Sequence, residues 1–140
     1  MPTSAEITAF LEKEFPQTKC MVESVGEQSA LVRHPIGFDE LRPGGTVSGP
    51  ALMAVADVGL YVAILGEIGM KPFVATTNLN INFLRMPTAE KDIMGDCKLI
   101  KVGRTLIVGE ASLYSDGNPT KPVAHIVGTY YVDWEAKPNE

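Results

Sequence analysis

The sequence predicts an α+β domain in which an antiparallel sheet curls around one long, buried helix. The first observation is residues 48–66, SGPALMAVADVGLYVAILG, where Asp57 is the single charged residue. A helix that is apolar almost all round has to be enclosed by other elements. The second observation is that the segments with strand character are grouped, two before this helix and four after it. Grouped strands are typical of antiparallel sheets, and a sheet curled around the helix satisfies both observations.

The elements up to the long helix follow from caps and breakers. Residues 3–16, TSAEITAFLEKEFP, begin with a capping-box pattern and place apolar side chains on one helical face. They predict a short amphipathic helix within residues 1–16. Residues 19–35 predict two short strands around a glycine. The turn-forming residues of 36–50 predict a loop, and the long helix is expected at roughly 50–66.

After the long helix the hydrophobic period changes to two. In residues 73–87, FVATTNLNINFLRMP, one predicted face is apolar and the other polar, which indicates a strand with one buried face. The apolar face consists of Thr77, Leu79, Ile81 and Phe83, and the polar face of Thr76, Asn78, Asn80 and Asn82. Residues 92–117 predict a hairpin that turns near Gly103, and residues 123–134 predict the last strand. Residues 134–140 are expected to form a loose tail.

Composition bounds the class of protein. A chain of 140 residues with 45% hydrophobic residues suits one domain that spans residues 1–140. The net charge of −5 gives no general attraction to nucleic acid or to an anionic membrane. Cys20 and Cys97 match no zinc or redox spacing, so we expect reduced core cysteines, no metal and a cytoplasmic location. The start of the chain lacks a signal-peptide pattern, and the long apolar segment is predicted as a buried helix rather than a membrane span.

Asp57 is the residue of the long helix that calls for an explanation. Its helical neighbours are apolar or aromatic, and no Lys or Arg occurs between Arg42 and Lys71. An ionised carboxylate buried without partners costs several kcal/mol. Asp57 therefore needs partners from other elements, a shift towards the neutral acid, or a cavity that holds water. Each of these is a feature of active sites, although Asp57 could also fix the helix to a strand or face solvent at a gap in the sheet.

The start of the long helix is a candidate binding site for a negative oxygen. Pro50 suits the first helical position, so we predict Gly49 as the N-cap. The Gly49 N–H would then lie at the positive end of the helix dipole, where it can donate to a developing oxyanion. Ser48 beside it could cap the helix or touch a ligand. The alternative is simply a well-formed helix start.

Spacing along the helix predicts a dimer. Gly49 and Asp57 are eight residues apart, which is about 12 Å at about 1.5 Å per residue. They cannot both act on one carbonyl from a single straight helix. Two antiparallel copies across a twofold axis would bring Gly49 of one subunit to Asp57 of the other. We therefore predict an obligate homodimer with two shared sites.

Three segments carry a resemblance to a known family. They are LRPGGTVSGPALMAVADVGLY at 41–61, TTNLNINFLRMP at 76–87 and KVGRTLIVGEASLYSDG at 101–117. With them, most of the chain as far as Val132 resembles the hotdog-fold thioesterases of the PaaI-like group. The resemblance implies a curved antiparallel sheet around one helix, and homodimers that often pair into tetramers, as dimers of dimers. It also implies hydrolysis of acyl-CoA thioesters without a metal or an organic cofactor.

The resemblance also implies roles for particular residues. Asp57 corresponds to the family's helix carboxylate, which is the base or nucleophile, and the Gly49 N–H to the donor that polarises the thioester carbonyl. The chain departs from the family at three positions, where Ser48 replaces a usual His, Pro50 a usual Gly, and Arg42 a loop Asn or Gln. The strand hydroxyl that holds water or the carboxylate corresponds to Thr76 or Thr77. Tyr61, one turn after Asp57, could orient the carboxylate or simply pack in the core.

The resemblance leaves three functions to weigh. The first is an acyl-CoA hydrolase, with cations for the CoA phosphates expected among Arg85, Lys98, Lys101 and Arg104. The second is a non-catalytic acyl-CoA binding or sensing module, which the changes at Ser48 and Arg42 would favour. The third is an enoyl-CoA hydratase, ranked last because no Asp and His pair is evident. None of these functions involves nucleic acid or a membrane.

Overall fold

The computed structural model describes residues 1–135 of the chain. Residues 136–140, most of the predicted loose tail, lie outside the described residues. The elements are α1 (Ser4–Glu14), β1 (Met21–Gly26), β2 (Ser29–His34), β3 (Leu41–Arg42), β4 (Thr46–Val47), α2 (Gly49–Ile68), β5 (Phe73–Phe83), β6 (Ile93–Val102), β7 (Leu106–Ser115) and β8 (Ala124–Asp133), with a short 3-10 turn at Phe38–Glu40. The predicted order of helices and main strands is confirmed, and the short strands β3 and β4 are additional.

Six strands form one antiparallel sheet in the order β1-β2-β6-β7-β8-β5. Helix α2 contacts all six of them. Six strands at about 4.8 Å spacing would span about 24 Å if the sheet were flat, about twice the diameter of a helix. The sheet therefore curves around α2, and the predicted α+β architecture is confirmed. Strands β1 and β5 form its two edges.

Helix α2 is the core of the molecule. Its buried side chains include Leu52, Val55, Leu60, Ile64 and Leu65. Close approach of the sheet depends on small residues, since a Cβ added at Gly59 would lie 2.5 Å from Cys97 Sγ. By length and composition α2 could cross a membrane, but it is mostly buried inside the sheet. This is the core helix that the sequence predicts.

The predicted N-cap of α2 is wrong by one residue. Ser48, not Gly49, is the N-cap, and its hydroxyl accepts the Ala51 N–H at 3.2 Å. Glycine has no side-chain oxygen for this bond, whereas serine caps well. Gly49 is thus the first helical residue and Pro50 the second, a position that Pro tolerates because its missing N–H has no partner within the helix.

The predicted loop before α2 contains the small hairpin β3–β4. Leu41 pairs with Val47 and Arg42 with Thr46, and the turn uses Gly44 and Gly45 at positive φ. Such short strands escape a pattern search because two residues show no period. The hairpin fixes the backbone of Arg42 on the approach to the start of α2.

Strand β5 differs from its predicted pattern at a β-bulge. The register against β8 shifts between Thr76 and Asn78, so Thr77 has no direct partner. A bulge reverses which side chains face the core. Thr76 therefore lies on the inner face with Leu79 and Ile81, and the predicted placement of Thr77 on that face is wrong. The polar strip of asparagines after the bulge is exposed.

Candidate functional site

Asp57 has the partners from other elements that the sequence requires. Its Oδ1 accepts hydrogen bonds from Thr76 Oγ1 and Tyr130 OH, both at 2.8 Å. Thr76 on β5 and Tyr130 on β8 are paired across the two strands, so both side chains approach the carboxylate from one face. Among residues 1–135, no donor bonds Asp57 Oδ2. One oxygen is fixed while the other is available to a ligand.

Tyr130 is the site residue that sequence reasoning missed. Its side chain is 1% exposed, and burial together with the adjacent Asp57 charge raises the pKa of Tyr130. The phenol therefore stays protonated and acts as a donor. Tyr130 holds the role proposed for Tyr61, which bonds no oxygen of Asp57. The alternation of residues in the last strand could have indicated it, because Ile126, Gly128 and Tyr130 share the buried face. The Tyr130 hydroxyl therefore needed a hydrogen-bond partner inside the protein.

A cavity of about 240 Å³ opens beside Asp57. It is lined by Phe10, Glu14, Phe15, Asp57, Val58, Tyr61, Val74, Thr76 and Tyr130. Tyr61 thus lies at the predicted site as a wall of this cavity. Burial, and secondarily the charge of Glu14, raises the pKa of Tyr61. The Thr77 hydroxyl instead donates to the Thr129 carbonyl at 3.1 Å and does not reach Asp57.

The start of α2 lines a second cavity, of about 270 Å³. Its walls are Arg42, Thr46, Val47, Gly49, Leu52, Phe83, Arg85, Met86 and Pro87. No acceptor within residues 1–135 receives the Gly49 N–H. Two cations, Arg42 and Arg85, share the cavity with this free donor, and Arg85 also donates to the Pro122 carbonyl at 2.6 Å. The cavity is therefore suited to a negatively polarised oxygen.

The structure does not bring all predicted site residues together within one subunit. Gly49, Arg42 and Arg85 line one cavity, whereas Asp57 and Thr76 line the other. Lys101 and Arg104 lie where β6 turns into β7, near the end of the sheet at which Thr76 and Tyr130 bond Asp57. The Arg104 carbonyl there accepts the Trp134 Nε1–H at 2.9 Å, and Arg104 lines neither cavity.

A buried polar chain supports the loop before α2. Glu40 is 6% exposed, and its carboxylate lies 3.0 Å from Lys19 Nζ and 3.4 Å from His34 Nε2. The other nitrogen of His34 lies 3.3 Å from the Cys20 sulfur. The Glu40 carbonyl accepts the Ser48 N–H at 2.8 Å. This chain ties the N-cap of α2 to the sheet.

The site residues offer nothing that resembles a metal centre. Within the part of the chain that the structure describes, no three His, Cys, Asp or Glu side chains are arranged to hold an ion. The two buried cysteines are free thiols, and burial raises the pKa of Cys20 to about 12. The chemistry that the site can support on its own residues is that of a carboxylate and a backbone donor.

Comparisons with known proteins agree with this fold. The family model described as the thioesterase superfamily matches residues 44–121, more than half of the chain. A candidate thioesterase from Silicibacter sp. TM1040 is 36% identical with a TM-score of 0.86, covering 93% of this chain and 91% of that one. Among curated proteins, none matches the sequence.

Two more distant structures show the fold alone. A thioesterase from Haemophilus influenzae is 16% identical, with a TM-score of 0.84 over 99% of this chain and 96% of that one. A variant of the phenylacetic acid degradation protein PaaI from Thermus thermophilus is 20% identical, with a TM-score of 0.71 over 88% of this chain and 97% of that one. The predicted resemblance to hotdog-fold thioesterases is confirmed. The family match and the 36% identical relative establish that the chain belongs to the thioesterase superfamily and is a thioester hydrolase.

Proposed function

We propose that this protein hydrolyses acyl-CoA thioesters in sites shared between two subunits. Asp57 comes from one subunit and the Gly49 N–H from the other. The observation that carries the proposal is that a free carboxylate oxygen and a free backbone donor line two separate cavities of one chain. On one helix they are about 12 Å apart, too far to act on the same carbonyl. A second copy of the chain supplies the missing half of each site.

The open edge of the sheet supports this arrangement. Strand β5 is an edge strand, and Asn78, Asn80 and Asn82 on it are exposed. If two β5 strands pair antiparallel across a twofold axis, the Phe83 end of one meets the Phe73 end of the other. A Cβ at Gly49 would lie 3.2 Å from the Phe83 ring, whereas Asp57 bonds Thr76 near the opposite end. The pairing therefore brings Gly49 towards the partner's Asp57.

In the proposed reaction, the thioester carbonyl oxygen accepts the Gly49 N–H. Asp57 Oδ2 then takes a proton from a water as that water attacks the carbonyl carbon. The carbon–sulfur bond breaks, and the thiolate leaves and is protonated. The alternative is direct attack by Oδ2 to form an anhydride, which water then opens. In both routes Thr76 and Tyr130 fix Oδ1, so the reactive oxygen keeps its direction, and the N–H stabilises the developing oxyanion.

Cations near the site fit a substrate that carries phosphates. Arg42 and Arg85 share the Gly49 cavity. The antiparallel pairing would add Lys101 and Arg104 of the second copy, because they lie towards the Asp57 end of the sheet. Lys98 is exposed on β6, where it faces Glu110 across the strands, and is a weaker candidate. Reduced, buried cysteines fit a reducing compartment, so we place the enzyme in the cytoplasm and expect a homodimer or a dimer of dimers.

A panel of acyl-CoA esters tests the proposal, with release of free thiol as the measurement. We expect turnover by the wild type and a loss of at least two orders of magnitude in kcat for Asp57→Asn. Asparagine keeps an acceptor for Thr76 and Tyr130 but cannot act as base or nucleophile. The melting temperature is the control for folding. Near-normal kcat in Asp57→Asn would remove this residue from the mechanism.

Three further outcomes separate the alternatives. Tight binding of intact acyl-CoA without thiol release would indicate the binding module. Hydrolysis of other thioesters but of no acyl-CoA would overturn the choice of carrier while leaving the hydrolase chemistry in place. Addition of water to an enoyl-CoA without thiol release would indicate the hydratase.

A further inference from the structure

We infer that Glu14 of α1 makes the enzyme select acyl groups that carry no negative charge at their far end. The inference rests on the proposed function, because it takes the cavity beside Asp57 as the site of the acyl group. Beyond the proposed roles of Gly49 and Asp57, it assigns to Glu14 a part in substrate choice and specifies the charge of the acyl group.

The short N-terminal helix forms one wall of the Asp57 cavity. Phe10 and Glu14 are four residues apart on α1, so they lie on the same face, and Phe15 follows at its end. The facing walls come from α2, β5 and β8. Most of the lining is aromatic or aliphatic, which suits a hydrocarbon chain or ring. The volume of about 240 Å³ is below the usual range for pockets of drug-sized ligands and favours a short or medium acyl group.

The charges in this cavity are both negative. Asp57 and Glu14 are its two ionisable carboxylates, and none of its lining residues is Lys, Arg or His. In the described part of the chain, Glu14 makes no salt bridge. The negative charge of Glu14 contributes, after burial, to the raised pKa of Tyr61 on the facing wall. Glu14 is exposed to solvent at this wall, so an acyl group with a distal carboxylate would meet a like charge that no side chain lining the cavity compensates.

Two acyl-CoA esters of equal chain length isolate this effect. Hexanoyl-CoA ends in a methyl group, and adipoyl-CoA ends in a carboxylate. The measured quantity is the ratio of kcat/KM for adipoyl-CoA to that for hexanoyl-CoA. We expect the wild type to favour hexanoyl-CoA, and Glu14→Gln to raise the ratio by about fivefold, since glutamine keeps the shape but removes the charge. Added salt should raise the ratio of the wild type and leave that of Glu14→Gln nearly constant.

Glu12→Gln is the matched control. Glu12 is an exposed carboxylate on the same helix, but it faces the groove between α1 and β1 rather than the Asp57 cavity. The variant changes net charge equally, so a ratio that stays at the wild-type value supports a local effect of Glu14. An equal rise of the ratio in both variants, or a change below about twofold in Glu14→Gln, overturns the inference. Hydrolysis of hexanoyl-CoA by the wild type would still support the proposed function in that case. Failure of the wild type to hydrolyse any acyl-CoA overturns the proposed function itself.

Discussion

At the scale of single residues, the two oxygens of Asp57 have different surroundings. Oδ1 accepts from two hydroxyls at 2.8 Å, and Oδ2 accepts from no donor in residues 1–135. Hydrogen bonds to a charged acceptor are stronger than neutral ones, so the carboxylate is held in one orientation. Tyr130 donates in addition to the Asp57 carbonyl at 3.3 Å, which fixes the side chain relative to the helix backbone. In the proposed reaction, a carboxylate held in this way acts from one fixed direction.

The two neighbouring threonines of β5 provide a test of this orientation. We expect Thr76→Val to lower kcat by about tenfold or more, because one charge-assisted bond to Asp57 is worth about 1.5–3 kcal/mol. Thr77→Val is the matched control, since its hydroxyl bonds the Thr129 carbonyl on the far side of the bulge. Steady-state hydrolysis by both variants is the measurement. Equal losses in the two would mean that Thr76 acts on the strand rather than on Asp57.

At the scale of elements, periodicity predicted the helices and strands but not the irregularities between them. The apolar run of α2 and the grouped strands were enough to predict the curved sheet. A one-residue bulge leaves the alternation of letters in TTNLNINF unchanged, so its reversal of Thr76 and Thr77 could not be read from the pattern. Tyr130 was missed for a related reason. The partners of Asp57 come from strands 19 and 73 residues away along the chain, and only the fold brings them together.

Glu40, which supports the loop before α2, leads to a prediction of how the stability of the protein depends on pH. Burial alone raises the pKa of Glu40, but Lys19, the Gly37 N–H and His34 outweigh it and hold the pKa below its ordinary value of 4.5. Since the folded-state pKa is lowered, the ionised carboxylate contributes stability above about pH 4.5, and this contribution is lost as pH falls further. Glu40→Gln should therefore unfold several degrees below the wild type at neutral pH.

The difference between the two melting curves should shrink below about pH 4.5, where Glu40 of the wild type becomes protonated as well. Thermal unfolding across about pH 3–7 measures it. Asp39→Asn is the control, because Asp39 also lies 3.0 Å from Lys19 Nζ but is exposed, and exposed pairs contribute little. A difference that stays constant over this range would show that ionisation of Glu40 does not carry the stabilisation.

At the scale of the whole molecule, the arrangement of one chain leaves each proposed site half built. The Gly49 cavity has a donor and cations but no carboxylate, and the Asp57 cavity has the carboxylate but no free helix N-terminus. The opposite ends of β5 are near these two cavities, so the proposed antiparallel pair of chains would complete both sites at once. The spacing of Gly49 and Asp57 in the amino-acid sequence is enough to predict this requirement, because it depends only on the rise of a helix.

Mixing two inactive variants tests whether the site is shared. Gly49→Pro removes the backbone N–H at a helical position that suits proline, and Asp57→Asn removes the base. Gly49→Ala is the control for Gly49→Pro, because it adds a Cβ against Phe83 but keeps the N–H, and it should retain more activity.

In a shared site, a mixed dimer has one site with both defects and one with neither. Each variant alone should therefore be nearly inactive, while co-refolded equal amounts should recover about a quarter of the wild-type rate per chain, since half of the dimers are mixed and each has one intact site. If the catalytic groups belonged to a single subunit, every site in the mixture would carry one defect and no activity would return. The rate of thiol release before and after co-refolding distinguishes these two architectures.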